Sequence, residues 1–486
     1  MINICEAENK KYQQLPEKVL QFGEGNFLRA FADWYVEKAN EKNLFSGRVV
    51  IAKPTNRGTT HRLSAQNCFY TVVSRGRENG CVIENTDVIS SVSRIISCYD
   101  DFDELLSVSE SPDLSVVISN TTEAGIVYVK GEMPENAPYV SFPAKLTVCL
   151  YNRFKKLGFG SGPLILPVEL IEDNGRVLKQ CVLNYAEEWK LEKDFIQYLN
   201  DDCKFCSTLV DRIVTGFPAE EFEKLSSGLG YEDNLLVACE PYHSWIIEGR
   251  KEWKEIFPVH KIDGSVVWTD DLPVYRERKV KILNGAHTMS VLAAYLGGYD
   301  IVRDMMHNDL FNNYIRKGLL EEIIPTINLP KEECEAFAAA VLERFDNPFI
   351  NHKLLDISLN SVSKFKARCL CSVLDYKNLT GKLPEILVFG LAALIVFYNG
   401  RYDENGDFVG TRAGEKYLIQ DLREVTDFFE AAYQTGDVVQ AVLSNKKFWD
   451  IDLTETDGLY NMVKDYFEDI NHLGIIRAVK KVVNNG

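Results

Sequence analysis

No apolar run in this sequence is long enough for a comfortable bilayer span. The most apolar stretch, ILVFGLAALIVFYNG (386–400), falls short of the roughly 20 residues a spanning helix needs and reads instead as a buried helix. The N-terminus, MINICEAENKKYQQLPEK, lacks the apolar core of a signal peptide. Positive charge is in deficit: 54 Lys and Arg against 71 Asp and Glu leave a net charge of −17. Such a chain has no general attraction to a phosphate backbone or an anionic membrane, which argues against a nucleic-acid binder. Histidine is scarce, with seven residues and no H-E-x-x-H. The single C-x-x-C, Cys203 and Cys206, has no second pair or Cys/His partner at matching spacing. Zinc needs four ligands, so a metal site has no positive support. Twelve cysteines in a chain without a leader point to free thiols in a reducing cytoplasm. Internal repeats and low-complexity linkers are also missing.

What is present is ordinary globular material: 46% apolar and 26% charged residues over 486 positions. That length exceeds one ordinary core, so two domains are expected. In the first half, KVLQF (18–22), GRVVIAK (47–53), LSVVISN (114–120) and PLILPVEL (163–170) read as strands, apolar almost throughout. Such strands separated by helices predict a parallel sheet covered on both faces. The spacing in 26–42 predicts the first crossover helix, and 71–92 predicts an inserted hairpin turning at ENG (78–80). From about residue 271, helical periodicity takes over: 272–296, 302–322, 331–345, 352–376, 383–398, 413–434, 436–446 and 456–482. The expectation is an α/β Rossmann-type domain over 1–268, followed by a mostly α-helical domain over 269–486.

VLQFGEGNFLRAF follows the first strand and opens the first helix. Gly23 permits the sharp turn, and Gly25 lets a pyrophosphate approach the backbone at the helix N-terminus. Leu28 stands where the third glycine of the fingerprint belongs. Residues 22–28 (Phe22, Gly23, Glu24, Gly25, Asn26, Phe27 and Leu28) are therefore candidates for a dinucleotide site. Asn120, Thr121, Thr122 and Glu123 join them, because they lie beyond the C-terminus of a strand, where open α/β sheets bind ligands. The second strand ends in IAKPTNRG. It has no acid to grip an NAD ribose, while Lys53 and Arg57 stand near, which leaves NADP open.

The second half holds KVKILNGAHT (279–288). At about 100° per residue, with Lys279 at zero, Arg276 falls near 60°, His287 near 80° and Asn284 near 140°, whereas Lys281 falls near 200°. Arg276, Lys279, Asn284 and His287 thus share one side of a helix. Asn284-Gly285 in mid-helix costs roughly 1–1.5 kcal/mol on propensity scales, and local rule-breaking of that kind is expected at functional sites. The chemistry suits carbonyl reduction: an ammonium donates the proton, and an amide N–H stabilises the developing oxyanion.

K-x4-N-x2-H in this segment resembles the signature of the polyol-specific long-chain dehydrogenase/reductase family, which includes the mannitol dehydrogenases. QFGEGNFLRAF resembles its G-x-G-x-F-x-R-A element, LVDRIV (209–214) its V-D-R-I segment, and NPFINHKLLDISLNSVSKFKAR (347–368) its N-P…S-x-K-F region. The resemblance covers nearly the whole chain. It implies a metal-independent, NAD-linked reaction, with Lys279 as general acid/base, Asn284 as oxyanion donor and His287 as an orienting contact. It adds Asp211 to the cofactor set and Lys364 to the substrate set. SNTTEAGI, EPYHSWIIEG and RERKVKILNGAHT look closest to the branch that reduces tagaturonate, a keto-uronate, to altronate. Arg276 is then the expected partner of the substrate carboxylate. Two departures stand out. The family's acid–Asn pair reads Glu169-Leu170 here, with Asn174 nearby as a candidate substrate contact out of register. The family's arginine eight residues before Lys364 is Asp356. Fructuronate and mannitol 1-phosphate are rival substrates. A nucleotide-binding sensor is the non-enzymatic rival, disfavoured because a sensor need not keep a proton donor.

Overall fold

The computed structural model describes residues 2–7, 11–56, 60–121 and 124–484. The chain divides into two compact units, Met1–Gly76 with Val82–Leu272, and Arg77–Cys81 with Pro273–Gly486.

The first unit is built on six parallel strands: β1 (Glu17–Phe22), β2 (Arg48–Lys53), β3 (Val92–Ser97), β4 (Val116–Ser119), β5 (Leu164–Pro167) and β6 (Lys204–Phe205). Their spatial order is β3-β2-β1-β4-β5-β6. That is the doubly wound order of a Rossmann domain, with the switch point between β1 and β4. The reason the strands read as continuous apolar runs is visible in the packing. Val19, Val49, Ile51, Val116 and Ile118 face a core holding Phe31, Tyr35 and Trp245. Their neighbours Leu20, Phe22, Val50, Val117 and Ile165 face a second core holding Leu146, Leu150, Leu178 and Phe195. Both faces are dry, so both parities must be apolar. The inserted hairpin pairs Tyr70–Glu78 with Cys81–Ile89 and turns at Asn79 and Gly80, both with positive φ (51° and 77°). The expected single helix over 26–42 is two, Asn26–Ala30 and Ala32–Glu41, broken at Phe31 (φ −127°, ψ −78°).

The second unit is mostly helical. Its innermost element, Glu385–Phe397, is the apolar stretch noted above, buried on nearly all sides. It crosses the Gly285–Leu296 helix at Gly390, where a Cβ would stand 2.9 Å from the Met289 carbonyl oxygen. Of the expected helical runs, 302–322 is interrupted at Asn308, 352–376 at Asn360 (φ 54°) and 456–482 at Gly474. The segment 413–434 is not one helix: Gly400–Tyr402, Phe408–Arg412 and Glu415–Leu418 form an antiparallel sheet, and the helix covers only Arg423–Ala432. The tight turn at Ala413 (φ 50°) and Gly414 (φ 88°) closes the last hairpin. Tyr417 lies over Gly410 so closely that any side chain there would collide with its ring. Strands this short leave too little alternation to compete with a helical pattern.

Among the described residues no helix is long and apolar enough to cross a membrane, and no cluster of three or more His, Cys, Asp or Glu could hold a metal ion. All twelve cysteines are free. Cys203 and Cys206 are buried on either side of β6, and burial pushes both thiols up to about 12.

Candidate active site

β1 ends at Phe22, and the chain turns at Gly23 with φ +124°. Gly23 N–H donates to the Ala52 carbonyl (3.0 Å) and Asn120 N–H to the Phe22 carbonyl (3.1 Å), so the C-terminal ends of β2, β1 and β4 are tied together here. A Cβ on Gly23 would lie 2.8 Å from the Asn120 carbonyl oxygen and 2.9 Å from Leu28 Cδ1. Only glycine fits, and Leu28, buried in place of the third glycine, fills the space beneath the turn. Gly25 is the opposite case: a Cβ there would meet nothing within 4 Å, and the residue is exposed. Glu24 is half-buried, and burial raises its carboxyl above the usual range against the pull of Lys53. Asn26 is exposed, while Phe27 stacks on Phe31 (4.9 Å). A backbone closed on one side and open at Gly25 can accept an anionic group lying against main-chain N–H groups.

Sequence reasoning overlooked what fastens the neighbouring loop. Glu169, buried just after β5, accepts from Ser119 Oγ, Thr121 N–H and Thr121 Oγ1, each at 3.0 Å. An acid close after β5, the strand beside β4, was the available signal. Asn120 and Thr121 are half-buried at the end of β4, while Thr122, Glu123 and Arg57 lie outside the described residues. Asp211 closes the Thr208–Asp211 strand, opposite Ser244. Its neighbour Arg212 donates to the Ala30 carbonyl (2.6 Å), the Glu240 carbonyl (3.1 Å) and Ser74 Oγ (2.8 Å), which locks the end of the Asn26–Ala30 helix. Asn174, expected at the substrate, is instead part of the framework. It is fully buried, its amide donates to the carbonyls of Pro167, Glu169 and Thr208, and its oxygen accepts from Gly175 and Thr208 N–H. Leu170 is 67% exposed and has no amide to offer.

In the second unit, 272–296 is one continuous helical run in three stretches: α-helical Leu272–Arg278, π-helical Lys279–Asn284 and α-helical Gly285–Leu296. The π turn changes the geometry of the motif. Hydrogen bonds in an α-helix join residues four apart and in a π turn five apart, so the wider π turn advances fewer degrees per residue. The angle between Lys279 and Asn284, about 140° in ideal α geometry, is therefore reduced. His287 lies three residues further in α geometry, a neighbouring position on the same face. The uniform helical wheel thus fails across 279–284, and the failure draws the set closer. Lys281 faces away: it is buried, with Nζ 2.7 Å from Glu277 Oε1 and 3.0 Å from Asp375 Oδ2, and donates to the Thr326 carbonyl (3.1 Å). Burial works against its charge, but those two carboxylates hold it above the ordinary lysine value.

Lys279, Asn284 and Arg276 are half-buried. The Asn284 amide makes no side-chain hydrogen bond to any described residue, although it sits mid-helix and partly open. His287 stacks on Phe345 (4.1 Å, 12° between planes) and meets His352 edge-on (5.5 Å). Its Nε2 is buried and has no partner among the described residues. Burial, reinforced by His352, Arg368, Arg344 and Lys364, holds it well below the ordinary histidine value, so the ring is neutral near pH 7. The π turn packs against two others, Gly318–Ile323 and Lys366–Leu370. Lys364 lies just before the latter, half-buried, with Nζ donating to the Ile357 carbonyl (2.9 Å). Arg368 and His352 lie beside this face as well and had not been singled out from the sequence. A lone cation or histidine in an amphipathic segment reads as solvent-facing until its neighbours are known.

An ammonium, an unengaged amide and a neutral imidazole lie on this one helical run, groups able to protonate a carbonyl oxygen and to stabilise charge on it. Comparison with known proteins gives the same direction. The Mannitol dehydrogenase Rossmann domain matches residues 17–257, and the Mannitol dehydrogenase C-terminal domain matches 271–471. An altronate oxidoreductase from Halalkalibacterium halodurans is 43% identical over 98% of this chain and 94% of its own length. Another from Enterobacter sp. is 42% identical over 96% of this chain and 97% of its own. Among solved structures, a D-sorbitol dehydrogenase in substrate-free form aligns with a TM-score of 0.78 at 20% identity, over 99% of this chain and 100% of that one. Pseudomonas fluorescens mannitol 2-dehydrogenase, solved with NAD and D-mannitol, aligns at 0.66 and 20% identity, over 98% and 96%. These two share the fold. The chain belongs to the mannitol dehydrogenase family and is an oxidoreductase acting on CH–OH groups.

Proposed function

We propose that the protein reduces the keto-uronate tagaturonate to altronate, reversibly, with NADH as the hydride source. The observation that carries this reading is the π turn that brings Asn284 toward the Lys279 side of one helical run, ahead of His287, with the Asn284 amide unengaged. The altronate oxidoreductases at 42–43% identity over nearly full length support the substrate class.

The turn at Gly23–Leu28 and the loop at Asn120–Thr121 fit a dinucleotide, with Gly25 leaving room for its pyrophosphate. We place Asp211, Thr122 and Glu123 in the same cofactor set. NAD is favoured over NADP by the fate of Lys53, which is buried and donates to the Thr55 carbonyl (2.6 Å) rather than standing open to a 2′-phosphate. Bound in this way, a reduced nicotinamide supplies the hydride. Lys279 then gives its proton to the substrate carbonyl oxygen, and the Asn284 N–H holds that oxygen as negative charge develops. Neutral His287 orients the sugar hydroxyls, while Arg276 and Lys364 line the approach. In this reading residues 1–268 serve the cofactor and 269–486 the substrate and catalysis.

The test is NADH oxidation with tagaturonate, fructuronate, fructose and fructose 6-phosphate in parallel, after treatment with a chelator. Turnover of tagaturonate that survives the chelator is expected. Loss of turnover to the chelator would contradict the metal-independent step, and no turnover with any of the four would end the enzymatic reading.

A further inference from the structure

Around His287 the second unit gathers Lys364, Arg368 and His352. Lys364 and Arg368 are four residues apart on adjoining helical stretches, Ser361–Phe365 and the π turn Lys366–Leu370. Like charges at that spacing repel along a helix. Neither forms an ion pair with a carboxylate among the described residues: Lys364 donates to the Ile357 carbonyl (2.9 Å), and Arg368 makes one long bond, Nη1 to Thr288 Oγ1 (3.4 Å). That bond places the guanidinium on the residue next to His287. The backbone agrees, since Cys369 Sγ contacts the Gly285 carbonyl (3.7 Å) and the Arg368 carbonyl oxygen would stand 3.4 Å from a Cβ on Gly285. His352 completes the group, its ring 5.5 Å from that of His287.

The nearby acids are engaged or exposed. Asp421 accepts from Tyr398 Oη and from Leu422 N–H, and Asp356 is exposed. Burial lowers Lys364, with Arg368 adding to the effect, and burial likewise lowers Arg368 and His352. Asp421 acts on Lys364 and Asp356 on His352, but no carboxylate among the described residues pairs with Arg368. A half-enclosed guanidinium of that kind is unfavourable unless an anion arrives to neutralise it.

We propose that Arg368, with Lys364 and His352 beside it, is the seat for the anionic terminal group of the substrate, the carboxylate of the keto-uronate. A guanidinium meets a carboxylate in a fork, and an ammonium adds a point charge. The seat stands beside the face that carries Lys279, Asn284 and His287, so it fixes which end of the sugar is held while the carbonyl reacts. The assignment rests on the keto-uronate reading of the site.

The experiment compares wild type with Arg368→Gln, Arg368→Lys, Lys364→Met and Arg276→Ala. For each variant, kcat and KM are measured for tagaturonate, fructose 6-phosphate and fructose, and KM for NADH. The expected result for Arg368→Gln is a loss in kcat/KM for tagaturonate of about 100-fold, carried by KM, since a lost charge-assisted contact to a carboxylate is worth that order. Fructose turnover and the KM for NADH should change less than about threefold on the same argument, and Arg368→Lys should recover part of the loss. Equal losses on tagaturonate and fructose would overturn the proposal, as would a rise confined to the KM for NADH. So would a carboxylate preference that disappears only in Arg276→Ala. If wild type prefers fructose 6-phosphate and Arg368→Gln loses that preference, the anion seat stands and the keto-uronate reading falls. A thermal-shift arm covers an inactive enzyme: altronate should raise the melting temperature of wild type and not of Arg368→Gln, and mannitol should raise neither. No shift with altronate in wild type would remove the seat.

Discussion

In the proposed reading Lys279 and Asn284 carry the chemistry, and each makes a separable prediction. Lys279→Ala removes the proton donor, and kcat should fall by about 10³-fold or more while NADH binding, followed by fluorescence titration, is unchanged. Asn284→Ala removes the oxyanion donor and should lower kcat by about 10²–10³-fold. A weakened NADH affinity in either variant, accounting for the loss, would place that residue at the cofactor instead. Asn174 makes the opposite prediction. Its amide satisfies buried backbone groups of Pro167, Glu169, Gly175 and Thr208, so Asn174→Ala should lower unfolding stability by about 2–3 kcal/mol in urea. A fall in kcat without a fall in stability would restore it to the substrate. At this scale the sequence announced the set that follows a motif, Lys279, Asn284 and His287. It concealed Arg368 and His352, whose significance depends on neighbours supplied by other segments.

At the scale of elements, the parallel strands were legible because both of their faces are dry, so no polar parity interrupts them. The π turn was not legible, because its signature is a hydrogen-bond pattern rather than a composition. A wheel that advances evenly separates Lys279 from Asn284 by more than the π turn does. The short strands within 400–418 were missed for a related reason, being too brief to establish a period of two. Packing also sets a test here. Gly390 lets the buried Glu385–Phe397 helix approach the Met289 carbonyl, so Gly390→Ala must push it away from the helix that carries His287. A loss of about 1–3 kcal/mol is expected from such overpacking, read by thermal or chemical unfolding. Unchanged stability would mean the crossing has slack.

For the molecule as a whole, buried titratable groups give stability an opposed dependence on pH. Asp33, fully buried beneath the glycine turn, accepts from Tyr70 Oη (2.5 Å), and burial pushes its carboxyl up to about 7. Its unfolded value is near 3.9. Between about pH 4 and 7 the folded chain therefore keeps a proton that the unfolded chain has released, and the Asp33 contribution to stability falls as pH rises. His287 acts in the other sense. Held well below its ordinary value, it costs stability as pH drops below about 6.5, where only the unfolded chain takes up the proton. Asp33→Asn should remove the first slope, gaining about 2–3 kcal/mol relative to wild type between pH 5 and pH 8, at about 1.4 kcal/mol per unit over the window. Parallel stability profiles for the two proteins would refute this.

The central claim is that the face formed by Lys279, Asn284 and His287 reduces a keto-uronate. The most direct measurement is kcat/KM for NADH-dependent reduction of tagaturonate, fructuronate, fructose and fructose 6-phosphate by wild type and Lys279→Ala. Tagaturonate should lead uncharged fructose by at least about tenfold, the discrimination one well-placed charge contact supplies, and Lys279→Ala should abolish its reduction. A preference for fructose 6-phosphate or fructose, or undiminished turnover in Lys279→Ala, would contradict it.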